Sequence, residues 1–121
     1  TDYCEKADFH GPLTIDYYQK ALERMKVENP YFLLCSDDVN YWKNENKLFE
    51  HRDHYLLEGE DDVTTLALFS NFFYFIIANS TFSWWGAWMA EAKHVIAPSK
   101  WFGPTGVKKY EDIYVKSWER I

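Results

Sequence analysis

Apolar residues recur along this chain in two rhythms. Ile15, Tyr18, Leu22 and Met25 are separated by three or four residues, so they share one face of a helix. Thr14 is placed to cap that helix, Asp16 favours its positive end, and Asn29-Pro30 stops it. Elsewhere the apolar residues come in short unbroken runs: YFLLC at 31–35, HYLL at 54–57, YFIIA at 74–78 and HVIA at 94–97. Each reads as a short buried strand, the last one stopped by Pro98. Helices are expected between them: a short one opening at Ser36-Asp37-Asp38, a mostly buried one over 63–73, and one from Thr81 or Phe82 to Ala92. The tail beyond Trp101 reads as irregular, and its end, 114–118, suits strand or helix. Buried strands alternating with helices predict an α/β fold, a Rossmann-like three-layer parallel sheet with helices on both faces. There is no internal repeat and no low-complexity linker, so a single domain over 1–121 is expected.

In such sheets ligands bind at the carboxyl ends of the strands. That places two segments at candidate positions. In ANSTFSWWGAWMA, residues 78–90, a run of hydroxyl and carboxamide side chains breaks directly into tryptophans. Asn79, Ser80, Thr81, Phe82 and Ser83 would stand beside helix N–H groups that have no partner within the helix, a combination that binds phosphate oxygens. Phe82, Trp85 and Met89 form one stripe of that helix and Trp84 and Trp88 another, so it is expected to be buried and to hold its first turn in place. An ordinary capped core helix explains the same residues equally well. Asn79-Ser80-Thr81 also matches the N-glycosylation pattern, but it lies between elements expected to be buried. The second segment, Ser36-Asp37-Asp38, offers carboxylates to a ribose hydroxyl or a guanine edge. Its plainer reading is a cap on the following helix. A metal site there lacks a third ligand at a suitable spacing.

Composition narrows these readings. Of the 121 residues, 47% are hydrophobic and 20% aromatic, enough for a core or cleft built from large rings. The formal charge of −6 argues against broad nucleic-acid binding but leaves room for one small anion. Cys4 and Cys35 match neither a zinc signature nor a disulfide scaffold. No apolar run reaches the roughly 18–20 residues of a membrane span. No Gly-rich phosphate loop and no G-x-S-x-G elbow occurs, which argues against dehydrogenase, P-loop and hydrolase chemistry. The acidic run at 58–62 reads as a solvated loop, and His10 as an acid, a base or an exposed histidine.

The segment IIANSTFSWWGAW (76–88) resembles the most recognisable motif of the α-1,2-fucosyltransferases, glycosyltransferase family 11. LTIDYYQKAL (13–22), PYFLLCSDDVNYWK (30–43), APSKWFG (97–103) and DIYVKSWERI (112–121) resemble further family segments in the same order. TDY at the start resembles the tail of a His-x-Arg-Arg-x-Asp-Tyr motif. The resemblance implies a two-domain GT-B enzyme, with this chain as most of its C-terminal, GDP-sugar-binding domain, truncated at its N-terminus. It implies metal-independent, inverting transfer of fucose from GDP-fucose to the 2-hydroxyl of a galactoside, with no cofactor.

Residue by residue, Asp37, with Ser36 beside it, matches the guanine-reading position, and Ser80 to Ser83, after Asn79, match the diphosphate segment. Asp2 matches the Asp of the arginine motif, and His10 resembles a histidine just beyond it. Asp2, Glu5 and Asp8 are then the candidate bases. The motif's His and two Arg do not occur in the chain, and Thr65 stands about where the family often has Asp. The 121 residues alone are therefore expected to bind donor weakly and transfer poorly. The partners implied are a GDP-sugar, a glycan acceptor and an N-terminal acceptor domain of the same protein. Cytoplasmic, membrane-associated and Golgi-lumenal settings all stay open. Two other classes also stay open: a nucleotide-sugar-binding module without catalysis, and a flavodoxin-like interaction domain without ligand.

Overall fold

The computed structural model describes residues 15–36, 42, 47–102 and 109–121. The elements, in chain order, are α1 (Ile15–Arg24), β1 (Phe32–Leu34), β2 (His54–Leu56), α2 (Asp62–Phe69), β3 (Tyr74–Ile76), α3 (Thr81–Met89), β4 (His94–Ala97), a 3-10 turn at Glu111–Ile113, and β5 (Glu119–Arg120). The strands form two small parallel sheets. In one, β1 pairs with β2, Leu33 opposite Tyr55. In the other the order is β3-β4-β5, with Phe75 opposite Val95 and Ala97 opposite Arg120. The four expected strands are present, each equal to or slightly shorter than its apolar run, and the protein is α/β with parallel pairing, but they fall in two sheets rather than one and only β4 has the expected burial: β1 is half-buried, and His54, Tyr55 and Tyr74 are exposed. β5 is the unexpected strand: its two residues carry no apolar run, and only the neighbouring β4 makes them a strand.

β4 is the centre of the core. Val95, Ile96, Ala97 and Pro98 are all buried. Alternation along the strand sends its side chains to opposite faces. Val95 and Ala97 join Ile77, Ala87 of α3 and Trp101. Ile96 joins Tyr17 and Ala21 of α1 on the other side. The three-stranded sheet thus carries a helix on each face. The buried line of α1 runs through Tyr17 and Ala21, while Ile15, Tyr18, Leu22 and Met25, the stripe read from spacing, are only half-buried. The shift has a physical cause: Tyr17 is amphipathic, and its hydroxyl finds partners inside the sheet. Tyr18 instead meets Trp42 edge-on at 5.2 Å, and Trp42 and Phe32 both lie against the buried Phe49. This line of rings joins α1 to the β1–β2 pair.

Two helices depart from expectation. α2 ends at Phe69 rather than Phe73, because Ser70 Oγ donates to the Ala67 carbonyl (2.6 Å) and Asn71 Nδ2 to that of Leu68 (3.3 Å). These side chains offer the backbone an alternative to further helix. Of α2 only Thr65 is buried, and Val63 is exposed. α3 ends at Met89, with Ala90 as its C-cap and Glu91 in the left-handed region (φ 52°). Its expected burial is overturned. Only Gly86 and Ala87 are buried, while Trp85 is 45%, Trp88 53% and Met89 59% exposed. The small residues form the face that reaches the sheet and α2. Trp84 stacks on Trp88 at 6.2 Å and 12° and packs against the edge of the core, while Trp85 and Trp88 point outward. The acidic run at 58–62 is exposed as expected, but it has a second use. Asp61 caps α2 by accepting the Thr64 N–H at 2.7 Å, which holds its carboxyl below the usual range.

Gly86 marks the closest approach of α2 and α3. A Cβ there would lie 2.4 Å from the Phe69 ring, which meets Phe75 and Phe82 edge-on at 5.8 and 5.9 Å. Gly86→Ala should therefore cost about 1–3 kcal/mol by overpacking, outweighing a gain of at most about 1 kcal/mol in helix propensity. The expected readout is a lower urea midpoint at unchanged m-value. Because its carboxyl is lowered in the folded state, the Asp61 cap contributes fully above the ordinary carboxylate pKa and is lost as pH falls through the lowered value. Asp61→Asn, which keeps a capping oxygen, should flatten the acid limb of a stability–pH curve.

Candidate functional site

The carboxyl end of β3 feeds α3 through Ile77, Ala78, Asn79 and Ser80. Ile77 still belongs to the ladder, its N–H donating to the Ile96 carbonyl at 2.9 Å. The chain then tightens, with the Ser80 N–H on the Ala78 carbonyl at 2.9 Å. Ser80 is extended (φ −133°, ψ 135°) and caps the helix. Its Oγ accepts the Ser83 N–H at 3.3 Å, and its carbonyl accepts that of Trp84 at 3.0 Å. The Thr81 and Phe82 amides then stand at the first two helical positions, where no carbonyl of the same helix can reach them. Thr81 is exposed, and Ser80, Phe82 and Ser83 are half-buried. This first turn faces solvent at the carboxyl edge of the sheet, with the positive end of the helix dipole behind it.

The five residues singled out here thus divide by role. Asn79 is buried, and its Nδ2 donates to the Trp101 carbonyl at 3.1 Å. The same contact removes the glycosylation reading, since Nδ2 is the atom a glycan would occupy. Ser80 is the cap, and the Phe82 ring packs on Phe69. Two backbone amides and the hydroxyls of Thr81 and Ser83 make up the open front. Several remote groups hold that front in place. Tyr17 of α1 donates its hydroxyl to the Ile77 carbonyl at 2.6 Å, with the Ile96 carbonyl at 3.2 Å. Trp84 Nε1 donates to the Ile113 carbonyl. Beyond β4, the Tyr110 hydroxyl donates to Ser99 and that of Tyr114 to Pro98. Burial, with Tyr18 and Tyr114 adding, keeps the Tyr17 phenol far above its ordinary pKa. Tyr114 is pushed up to about 12 by burial and Tyr110, against the opposing charge of Arg120 and with Glu111 adding. Both hydroxyls therefore remain donors at neutral pH.

Ser36, half-buried, follows β1. Asp2, Glu5, Asp8, His10 and Asp37 lie outside the described residues. Thr65 is buried, its Oγ1 on the Asp61 carbonyl at 2.9 Å, so that position serves α2 itself. The arginines are engaged elsewhere: Arg24 with Glu119, Arg52 with the Leu48 carbonyl, and Arg120 over the Tyr114 ring at 4.8 Å. Among the described residues no three His, Cys, Asp or Glu side chains converge as metal ligands. Sequence reasoning missed Tyr17, Trp101, Tyr110 and Tyr114. Their partners lie 11 to 79 residues away, and the only hint was the abundance of tyrosine.

Comparison with known proteins adds an independent line. The family model described as glycosyl transferase family 11 matches residues 4–121. An alpha-1,2-colitosyltransferase of Escherichia coli is 35% identical over 97% of this chain and 42% of its own length. The O-antigen biosynthesis glycosyltransferase WbnK, also of Escherichia coli, is 37% identical over 91% of this chain and 37% of its own length. The chain thus spans about two fifths of these curated relatives. No solved structure gives a significant match. With a match from Cys4 to the last residue, two such relatives, and the ANSTFSWWGAW segment turning at a strand end into an outward-facing helix start, the chain belongs to glycosyltransferase family 11.

Proposed function

We propose that this chain is the donor-binding, C-terminal part of a GT-B-type enzyme that transfers fucose, or a related deoxyhexose, from its GDP donor to the 2-hydroxyl of a galactoside. The carrying observation is the solvent-facing first turn of α3, whose Thr81 and Phe82 amides and Thr81 and Ser83 hydroxyls suit diphosphate oxygens. Asp37 reads the guanine edge, with Ser36 beside it. The relative that acts as an alpha-1,2-colitosyltransferase supports the 1,2 regiochemistry and a deoxysugar donor. Colitose is fucose lacking its 3-hydroxyl, so the two donors present the same nucleotide to this half of the site. With relatives from a bacterium, a cytoplasmic or membrane-surface setting is favoured over a Golgi lumen.

The transfer is a single displacement without metal or cofactor. The acceptor oxygen attacks the anomeric carbon, its proton passes to a carboxylate (Asp2, Glu5 or Asp8), and the bond from carbon to phosphate oxygen breaks with inversion. His10 lies in the same segment as a hydrogen-bond donor. Charge on the departing GDP is met by the helix amides and by cations from outside the described residues, because Arg24, Arg52 and Arg120 have other partners.

Calorimetry on the whole protein tests this reading: GDP, GDP-fucose and GDP-colitose should bind and UDP should not. Guanine-nucleotide binding without transfer to any galactoside would favour a catalytically silent module instead. Thr81→Val should weaken GDP by about tenfold or more, the worth of one hydrogen bond to a charged group, at unchanged melting temperature. Asp37→Ala should weaken GDP by a similar factor and relax the preference over UDP.

A further inference from the structure

The donor site lies on the α3 side of the strand ends, but one of the bonds that sets its position comes from the opposite face. Tyr17 sits in α1, and its ring is buried against Ala21 and Ile96. Its hydroxyl reaches through to the Ile77 carbonyl at 2.6 Å, with Ile96 as the longer arm of a three-centre contact at 3.2 Å. Ile77 and Ile96 are themselves paired, Ile77 N–H to Ile96 carbonyl, at 2.9 Å. One hydroxyl therefore clasps the last ladder step of two adjacent strands. Ile77 is three residues before the Ser80 cap, and from there Asn79 is tied to Trp101 and Trp84 to Ile113. The segment 77–84 is thus held to β4 by the Ile77–Ile96 ladder bond, from the α1 face by the Tyr17 hydroxyl, and from the far side by the Asn79 and Trp84 bonds.

We propose that Tyr17 is a positioning residue for the donor diphosphate: without touching the ligand, its hydroxyl sets the height and angle at which the first turn of α3 meets the phosphates. The inference rests on the donor-site reading above and adds to it a residue on the opposite side of the sheet. It separates Tyr17 from Tyr18, whose ring packs on Trp42 and which should have no such effect.

The test is Tyr17→Phe in the whole protein, with Tyr18→Phe as control. The phenylalanine keeps the buried ring and removes only the hydroxyl. The expected result is a donor KM and a GDP Kd raised by about threefold to tenfold, because the phosphate-facing amides are no longer held in place. Acceptor KM should be unchanged, and kcat per folded molecule little altered. Amide hydrogen exchange should rise at Ser80, Ser83 and Trp84, whose amides are hydrogen-bonded, and stay unchanged at Val95 and Ile96. A lower melting temperature with donor KM and GDP Kd intact would overturn the proposal, leaving Tyr17 a purely structural residue. Unaltered exchange at 80–84 would overturn it equally. Should the unmutated protein bind no guanine nucleotide, the donor-site reading fails on its own, whereas the exchange experiment still decides whether Tyr17 controls the segment.

Discussion

The carbonyl groups at the carboxyl edge of the parallel sheet are the constraint on which this protein is built. A strand that ends in the core leaves its last carbonyls without a ladder partner, and a buried carbonyl without a hydrogen bond costs about 1–3 kcal/mol. Here Tyr17 supplies the donor to Ile77 and adds to the Ile96 carbonyl, which already accepts the Ile77 N–H; just beyond the strand Tyr114 serves Pro98, Tyr110 the exposed Ser99, and Asn79 the Trp101 carbonyl. Tyrosine suits this work, because its ring joins the core while its hydroxyl meets the polar edge. The backbone takes part as well, with the Ile121 N–H on Ala97 and the Ser99 N–H on the Ile121 carbonyl. The edge from which the candidate site opens is thereby held together.

The abundant aromatic residues consequently do several jobs. Tyr18, Trp42, Phe49 and Phe32 link α1 to the β1–β2 pair by edge-on and tilted ring contacts. Phe69 lies between Phe75 and Phe82 and leaves room above it only for a glycine. Trp84 packs on Trp118 and donates to Ile113, so a ring anchors the helix that carries the site. Trp85 and Trp88 lie on the outer surface of the same helix, edge-on to each other at 5.7 Å. At the amino ends of the strands a polar counterpart appears. Glu119 of β5 accepts from His94 of β4 at 3.0 Å and pairs with Arg24 of α1, tying the three elements together where no ligand is expected.

At the candidate site, groups spent on the fold and groups open to solvent lie side by side along five consecutive residues. Asn79 and Ser80 spend side-chain atoms on the fold, and Thr81 presents its hydroxyl and amide to solvent. A neutral set of donors suits the proposed diphosphate well. Amides locked in a helix need no reorganisation when charge develops on a leaving group, and they suit an anion even on a chain whose net charge is −6.

Local pattern was enough for much of this. The apolar runs at 32–34, 54–56, 74–76 and 94–97 were legible as strands because they are short, rich in aromatic and aliphatic residues and bounded by turn residues, although only 95–97 are fully buried. The Ser80 cap and the polar turn before α3 were legible because capping chemistry is encoded within four residues. Other features depend on groups far apart in sequence. Which tyrosine of α1 faces inward was decided by carbonyls 60 and 79 residues away, not by spacing. Whether the rings of α3 are buried depended on Gly86 and Ala87, the only residues there small enough to let the helix approach its neighbours. β5 exists only because β4 offers an edge. Periodicity determines which elements form. Only the assembled sheet, by leaving particular carbonyls in need of donors, decides how they turn and what they present.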